Sequence, residues 1–482
     1  MTDPIPLSLM LVTQPLLWAA LAWRVVRPMG MGWLVTGVVL NGLLVAFLIQ
    51  HVLIGGAQVG LLWGLAGDLG IGLRLDGLAL LFVSLTLLIG ATCIFQAQGY
   101  FRDQPAVRTR LWPVIWALWG GLNLIWLAHD FLLLYIGMEA VAFCVIALIA
   151  LSGEPASIRA AIRYLQAVML GTLALLLGAG VHLVAHGSLA LALPQQTDHS
   201  AFAAVLAAAL ITAGLTYRAA LFPLHSWLPP AHGSSYAPLS ALLSALVTKA
   251  SFYILARYWL DNDAAFASPL AAQLLGTLGA LAILWGGWMA WRQVKLKMLV
   301  AYSSVNQVGY FFLLFPLITL TTPEVAQQAR DGAMLQVISH ALAKAALFMS
   351  AGNLVFAIAS ERVDGLAGVS RYLPVSLLSF GLAGVSLMGL PPSGGFIAKW
   401  TLLQASIGAG QWWWALVLVL GGFISAVYVF RVYRQTYLEG PAAEDFHYDR
   451  FTMEIAPLAL AILAAGLGLL AAAPLALLEV TV

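Results

Sequence analysis

The sequence predicts an all-α, polytopic integral membrane protein of about fourteen transmembrane helices, two of them discontinuous, with helices as the spanning element. Composition sets the class: 482 residues, 62% hydrophobic and only 9% charged, against about a quarter charged in an ordinary soluble domain. Mean hydropathy is +0.94. Apolar runs of the ~20 residues needed to cross a bilayer recur along the whole chain.

The runs lie near 6–26, 31–53, 77–98, 111–129, 131–151, 164–187, 201–222, 238–259, 270–291, 298–318, 332–358, 374–408, 411–434 and 454–476. The first has an acidic flank, Asp3, and no small-residue cleavage pattern, so it reads as a retained helix. The longest loop, Gly55 to Asp76, is too apolar to be a soluble domain. The fifth run holds a single carboxylate, Glu139. The seventh breaks at Leu221-Phe222-Pro223-Leu224-His225-Ser226-Trp227-Leu228-Pro229-Pro230. The eighth contains Lys249. The tenth carries the stripe Ser303, Asn306, Gln307 and Tyr310. The eleventh holds His340 and, one turn on, Lys344. The twelfth breaks at Gly389-Leu390-Pro391-Pro392-Ser393-Gly394-Gly395-Phe396 and then reaches Lys399. Six residues follow the last run, and no soluble domain is expected.

Loop charges give an orientation by the excess of Lys and Arg on the cytoplasmic side. Arg24/Arg27, Arg102/Arg108/Arg110, Arg159/Arg163, Arg292/Lys295/Lys297 and Arg431/Arg434 fall on one side. Asp3, Asp130, Asp198, Asp261/Asp263 and Glu324/Asp331 fall on the other. The sets alternate if 374–408 is one crossing and both termini face away from the cytoplasm. A multi-pass protein of the cell inner membrane is the expected location, with the lipid bilayer as a partner. The net charge of +2 points to no nucleic-acid partner. Cys93 and Cys144 lie in apolar runs and offer no disulfide framework, iron–sulfur motif or zinc site. No cofactor is expected.

Function is read from charges in hydrocarbon. An ionisable residue at the helix centre costs roughly 3 kcal/mol on insertion scales and marks a functional site by default. Glu139, Lys249, Lys344 and Lys399 are such residues on separate runs. Proline removes a backbone donor and clashes with the preceding turn, which a membrane helix tolerates only where protein or water satisfies the freed groups. Paired Gly/Pro interruptions in the two halves of a chain point to a transport site. The breaks here are about 165 residues apart, with five runs per repeat, and an odd number makes the repeats inverted. The expected organisation is an N-terminal three-helix segment (1–110), a first five-helix repeat (111–260), a second (261–437) and a C-terminal helix (438–482).

Several motifs, in order, then carry a resemblance. They are Arg74-Leu-Asp-Gly-Leu, Asp130-Phe-Leu-Leu-Leu-Tyr with Glu139, and Arg218-Ala-Ala-Leu-Phe-Pro-Leu-His-Ser-Trp-Leu-Pro with Ala237-Pro-Leu-Ser-Ala-Leu and Val247-Thr-Lys-Ala. Leu299-Val-Ala-Tyr-Ser-Ser-Val-Asn-Gln-Val-Gly-Tyr, Ser339-His-Ala-Leu-Ala-Lys and Gly389-Leu-Pro-Pro-Ser-Gly-Gly-Phe-Ile-Ala-Lys complete the set. Across roughly 72–437 the chain resembles the antiporter-like membrane subunits. These include the D subunit of Mrp-type sodium/proton antiporters and the proton-pumping subunits of respiratory complex I and membrane-bound hydrogenases. The wording around Phe222 and Lys249 is nearest to the Mrp-type antiporters. The absence of a long C-terminal extension sets the chain apart from the largest complex I type.

The resemblance implies a role for each matching residue. Glu139 matches the acidic residue that pairs with a lysine on the first broken helix, and Arg218 stands at that lysine's position. Lys249 matches the next lysine of the central axis. His340 and Lys344 match the residues joining the two halves, and Lys399 the lysine of the second broken helix. Together they imply proton transfer, linked by water, in one subunit of a larger complex whose other membrane subunits would handle sodium or a redox reaction. The chain itself has no redox or hydrolytic motif. It departs from the family pattern at Arg218, at Pro230 and Lys295 (both usually aspartate), and at Gln336 (histidine in some members). Arginine does not exchange a proton at accessible pH.

Plainer readings stand beside these. Glu139 and the lysines could pair locally, and His340, Lys344 and Gln336 could form a packed polar seam. The Ser303–Tyr310 stripe could be interhelical glue. Lys297 could snorkel to the interface. His182 and His186 have metal-like spacing but no third ligand. His225 and His232 flank a break and could admit protons or brace the turn. Two other functions remain open: a self-sufficient secondary transporter of a small solute, and a scaffold subunit with an incomplete proton path.

Overall fold

The computed structural model describes residues 4–24, 30–64, 70–193, 202–262, 268–319, 321–440 and 450–481. Of the loop charges used for orientation, Asp3, Arg27, Asp198 and Asp263 lie outside the described residues. The chain runs α1 (Ile5–Arg24), α2 (Met31–Gly55), β1 (Gln58–Gly64), β2 (Gly70–Leu75), α3 (Gly77–Tyr100), α4 (Pro105–Leu127), α5 (Phe131–Ile149) and α6 (Pro155–His186). Then come α7 (Phe202–Arg218), α8 (Leu228–Ser234), α9 (Ala237–Leu242), α10 (Thr248–Asp261), α11 (Pro269–Arg292), α12 (Leu296–Phe312), α13 (Leu314–Ile318) and α14 (Pro323–Ile358). The last are α15 (Pro374–Met388), α16 (Gly394–Gly408), α17 (Trp412–Thr436), α18 (Arg450–Gly466) and α19 (Ala472–Leu478).

Eleven helices among the described residues are long and apolar enough to cross a membrane. The 23-residue α4 and the two interrupted pairs, α7/α8 and α15/α16, bring the crossings to the number read from the sequence. Both breaks fall where proline and glycine put them. Residues 219–227 separate α7 from α8, with Ala220 in the left-handed region at φ +57°. Residues 389–393 separate α15 from α16, with Gly389 at φ +79°.

Two features differ from expectation. The segment read as the longest loop is a hairpin, in which β1 pairs antiparallel with β2, Val59 opposite Arg74 and Gly60 opposite Leu73. The last four residues of β2, Gly72 to Leu75, are all buried. The hairpin closes one end of the bundle. There the Gly72 N–H donates to Asp130 (3.0 Å), and Asp130 also caps α5 through Leu132 and Leu133. Ile5 packs on Gly60, and the Gly77 N–H donates to the Val480 carbonyl (2.8 Å), so both described extremities of the chain reach this hairpin end. Second, the single C-terminal helix is two: α18 stops at Gly466 and α19 follows a 3-10 turn at Leu467–Leu469.

Small residues bring α6 and α7 together, as van der Waals packing in a bilayer favours. A Cβ on Gly171 would lie 2.6 Å from Arg218 Cγ and 2.9 Å from the Gly214 carbonyl, and one on Gly214 would lie 2.5 Å from the Gly171 carbonyl. This contact seats Arg218 against α6. Gly171→Leu should therefore cost about 1–3 kcal/mol, the usual range for overpacking, seen as a lower thermal midpoint in detergent. An unchanged midpoint would show that α6 and α7 separate freely.

Candidate functional site

At the first break, Arg218 ends α7 and is buried. One guanidinium nitrogen lies 3.5 Å from Glu139 Oε1 on α5 and donates to the Thr172 hydroxyl on α6; another donates to the Met138 carbonyl (3.3 Å). Thr172 donates onward to Glu139 (2.9 Å). The pair expected from the sequence is thus formed, with threonine between the charges. The Glu139 side chain keeps 27% of its surface exposed, whereas Arg218 keeps 6%.

Lys249 opens α10 and is buried without a carboxylate partner among the described residues. Its ammonium donates to the Ser244 carbonyl and reaches Thr248 Oγ1 at 3.5 Å. Ser244 lies in a π-helical turn, Leu243–Val247, joining α9 to α10. Such turns inside α-helices are frequent at functional sites.

The middle of the bundle is a polar seam between α12 and α14. The Lys344 ammonium donates to the Val300 carbonyl (2.7 Å) and to Ser303 Oγ (2.5 Å). One turn along α12, Gln307 accepts from Gln336 (2.9 Å) and donates to Asn306 (2.8 Å), Ser425 (3.2 Å) and the Leu387 carbonyl (3.3 Å). The Lys399 ammonium donates to that same Leu387 carbonyl (2.6 Å) from α16. It also sits 4.5 Å from the Tyr310 ring centroid, within cation–π range. Lys399 is therefore joined to Gln307 through the Leu387 carbonyl, and Lys344 binds Ser303 one turn earlier on the same α12 stripe. A Cβ on Gly389 would meet Lys399 Cδ at 2.8 Å, so glycine at the second break also makes room for this lysine.

His340 is buried, within electrostatic range of Lys249, Lys344 and Lys399, and neither ring nitrogen has a hydrogen-bond partner among the described residues. A buried polar group left unpaired in this way is uncommon and calls for a reason. Phe311 neighbours both groups: its ring centroid is 5.3 Å from that of His340 and 5.9 Å from Lys249 Nζ.

A cavity of about 720 Å³ opens at the end opposite the hairpin, lined by Arg159, Arg163, Ser235, Lys295, Lys297 and Glu361 among others. Lys297 turns inward, donating to the Ser235 carbonyl, and does not simply extend to the surface. Beyond it His232 is fully buried, both ring nitrogens without a hydrogen-bond partner among the described residues, in electrostatic range of Lys297, Lys249 and Lys344. His225 faces Phe222 and Tyr302 in the break. Lys295 pairs with Glu361 at 2.7 Å on the surface. His182 and His186 make an edge contact at 4.7 Å, and His182 lies 3.3 Å from the Ala190 carbonyl.

Sequence reasoning missed Arg257. It is buried on α10 and grips Asp76 with two bonds, 2.7 and 2.9 Å. Arg74 joins Asp76 (2.8 Å) and Asp261 (2.5 Å), making a four-residue ion cluster at the hairpin end. Burial pushes the Asp76 carboxyl up, but the Arg257 and Arg74 guanidinia and the Ala79 N–H outweigh it and hold it at about 2. The available signal was spacing: Lys249, Tyr253, Arg257 and Asp261 recur every four residues, one face of a helix.

Fold and site define a polytopic membrane protein with titratable and fixed charges filed across its middle, between two interrupted helices. The chain belongs to the NADH:quinone oxidoreductase/Mrp antiporter transmembrane family, whose sequence profile matches residues 128–425. It is 37% identical to NADH-quinone oxidoreductase subunit N of Desulforudis audaxviator over 382 residues, 77% of this chain and 74% of that one. The fold is shared with a chain of an archaeal membrane-bound sulfane sulfur reductase (TM-score 0.86, 23% identity, 98% and 96% of the two chains). It is shared also with a chain of the Mrp complex from Dietzia sp. (TM-score 0.84, 21% identity, 98% and 95%).

Proposed function

We propose that this chain is a proton-translocating subunit of a multisubunit membrane complex, a cation/proton antiporter or a redox-driven pump. The observation that carries the reading is the file of buried basic groups Lys249, His340, Lys344 and Lys399 across the middle of the bundle, with the hydrogen-bonding side chains Ser303, Gln307 and Gln336 along the stretch from Lys344 to Lys399. Desolvated lysines release a proton more readily, and a carboxylate partner holds it, so moving such a partner switches proton affinity. Glu139 and Arg218 form a charge pair at the first break, and Arg218 serves as a fixed cation there. Protons enter through the cavity past Lys297 and His232, and Phe311 lies beside both Lys249 and His340.

On this reading the basic end faces the cytoplasm, and the hairpin end with both described extremities faces away. The protein is a multi-pass component of the cell inner membrane. Residues 111–260 and 261–437 are the two inverted repeats, after an N-terminal three-helix segment and before the C-terminal segment. The relatives named as parts of complexes support other membrane subunits as partners. Kinship by sequence to a NADH-quinone oxidoreductase chain and by fold to an Mrp chain supports both couplings, with the D subunit of the Mrp-type antiporters as one close counterpart.

The test is Glu139→Gln in the complex purified from its source and reconstituted in proteoliposomes. Coupled translocation is expected to fall at least about tenfold, the loss of a charged partner where one positioned group contributes about a hundredfold or more, with subunit composition unchanged. Undiminished translocation would favour a scaffold role.

A further inference from the structure

The α10 face that begins at Lys249 continues to the hairpin end as Tyr253, Arg257 and Asp261. At 1.5 Å per residue this ladder spans about 18 Å, more than half of a ~30 Å hydrocarbon core. Together with the cavity leading to Lys297, such a file of polar groups would be a complete proton leak if each member could relay. Its hydrogen bonds show that the middle members cannot.

A phenol hydroxyl has one proton to give and two lone pairs. The Tyr253 hydroxyl donates to the Trp126 carbonyl (2.5 Å) and accepts from both Arg257 Nε (3.1 Å) and Nη2 (2.8 Å). Nothing is left to take a proton from the Lys249 side. The Asp76 carboxylate is filled in the same way. Oδ1 accepts from the Ala79 N–H (2.9 Å) and Arg257 Nη2 (2.9 Å), and Oδ2 from Arg257 Nη1 (2.7 Å) and Arg74 Nε (2.8 Å). Four donors meet the roughly four acceptor sites of a carboxylate. Three of the four come from arginines, which keep their protons.

We propose that Arg257, saturating Tyr253 and Asp76 and backed by Arg74 and Asp261, is a proton barrier that closes the hairpin end of the α10 ladder, so that Lys249 exchanges protons only with the rest of the route. The inference rests on the proton-translocating reading above. It makes Arg257 a positioning residue for directionality. The cluster is near neutral in sum, two arginines against two aspartates, so exclusion comes from occupied lone pairs and from groups that do not titrate.

The test is passive leak, which needs no driving reaction. Full-length protein is reconstituted in liposomes, a pH step is imposed with the membrane potential clamped, and an internal dye reports proton entry. Arg257→Lys keeps the charge but loses the fork, freeing an acceptor site on Asp76 and one on Tyr253; leak is expected to rise at least about tenfold. Arg74→Gln, which opens one site on Asp76 and leaves Arg257 in place, is expected to give a smaller rise and serves if Arg257→Lys fails to fold. Adding Lys249→Ala to either variant should return leak to the wild-type level. Wild-type leak in both folded single variants, or leak that persists without Lys249, would overturn the barrier. Driven translocation by the wild-type complex is measured separately, so failure of the transport reading is seen in that assay alone.

Discussion

Lys249→Ala and Lys399→Ala should each cut driven proton translocation about a hundredfold or more, the scale of a positioned proton-transfer group, while Arg218→Lys keeps substantial activity. Among the described residues, Lys249 and Lys399 are buried and bonded only to uncharged groups, a carbonyl in both cases and a hydroxyl at Lys249, so each can release its proton without breaking an ion pair. Arg218 is held by Glu139 and Thr172 and acts as a charge. The measurement is initial rate in proteoliposomes of the reconstituted complex, with assembly checked by subunit stoichiometry. Retained transport in both alanine variants would remove these lysines from the route. Loss of activity in Arg218→Lys alone would show that the forked geometry of the guanidinium is required.

The largest stability effect should come from Arg257→Ala. Removing one partner of a buried ion pair costs about 3–5 kcal/mol, because the other charge remains in low dielectric. Asp76 is 1% exposed in its side chain and Arg257 2%. The expected readout is a marked drop in thermal midpoint in detergent, with Asp261→Asn much milder because Asp261 is partly exposed and holds only the outer arginine closely. The pH dependence has a definite sign. The folded Asp76 carboxyl is held at about 2, below the unfolded value of about 3.9. Its contribution is fully present above about pH 4 and is lost as pH falls through about 2. A midpoint in Arg257→Ala equal to that of the wild type would mean Asp76 finds other partners.

Much of this architecture was legible because bilayer physics writes itself into composition. Apolar runs marked the crossings, and Pro223 and Pro391–Pro392 located both interruptions, since a proline-broken helix in lipid must be deliberate. Glu139 and Arg218 could be paired through resemblance alone, as nothing in their spacing of 79 residues brings them together. The hairpin was missed because Val59, Leu61 and Leu62 read as an apolar loop, and a short apolar run is a weak strand signal beside spanning helices. Arg257 was missed because it lies two residues before the end of the run near 238–259, where a cation reads as an ordinary flank; only the fold brings Asp76 to it. Lys297 was read as surface-seeking by position, and its inward turn depends on the Ser235 carbonyl from another element.

The π-helical turn at Leu243–Val247 has a consequence for phase. A π turn is an α-helix carrying one residue too many, so everything after it is rotated by about 100°, one residue's worth of an α-helical turn. The azimuth of Lys249, and with it of Tyr253, Arg257 and Asp261, is therefore offset by one position from a helical wheel drawn continuously from Ala237. Deleting a single residue within 243–247 would restore an unbroken α-helix. It would also swing the entire charged face of α10 away from both the central seam and Asp76, without altering any residue on that face.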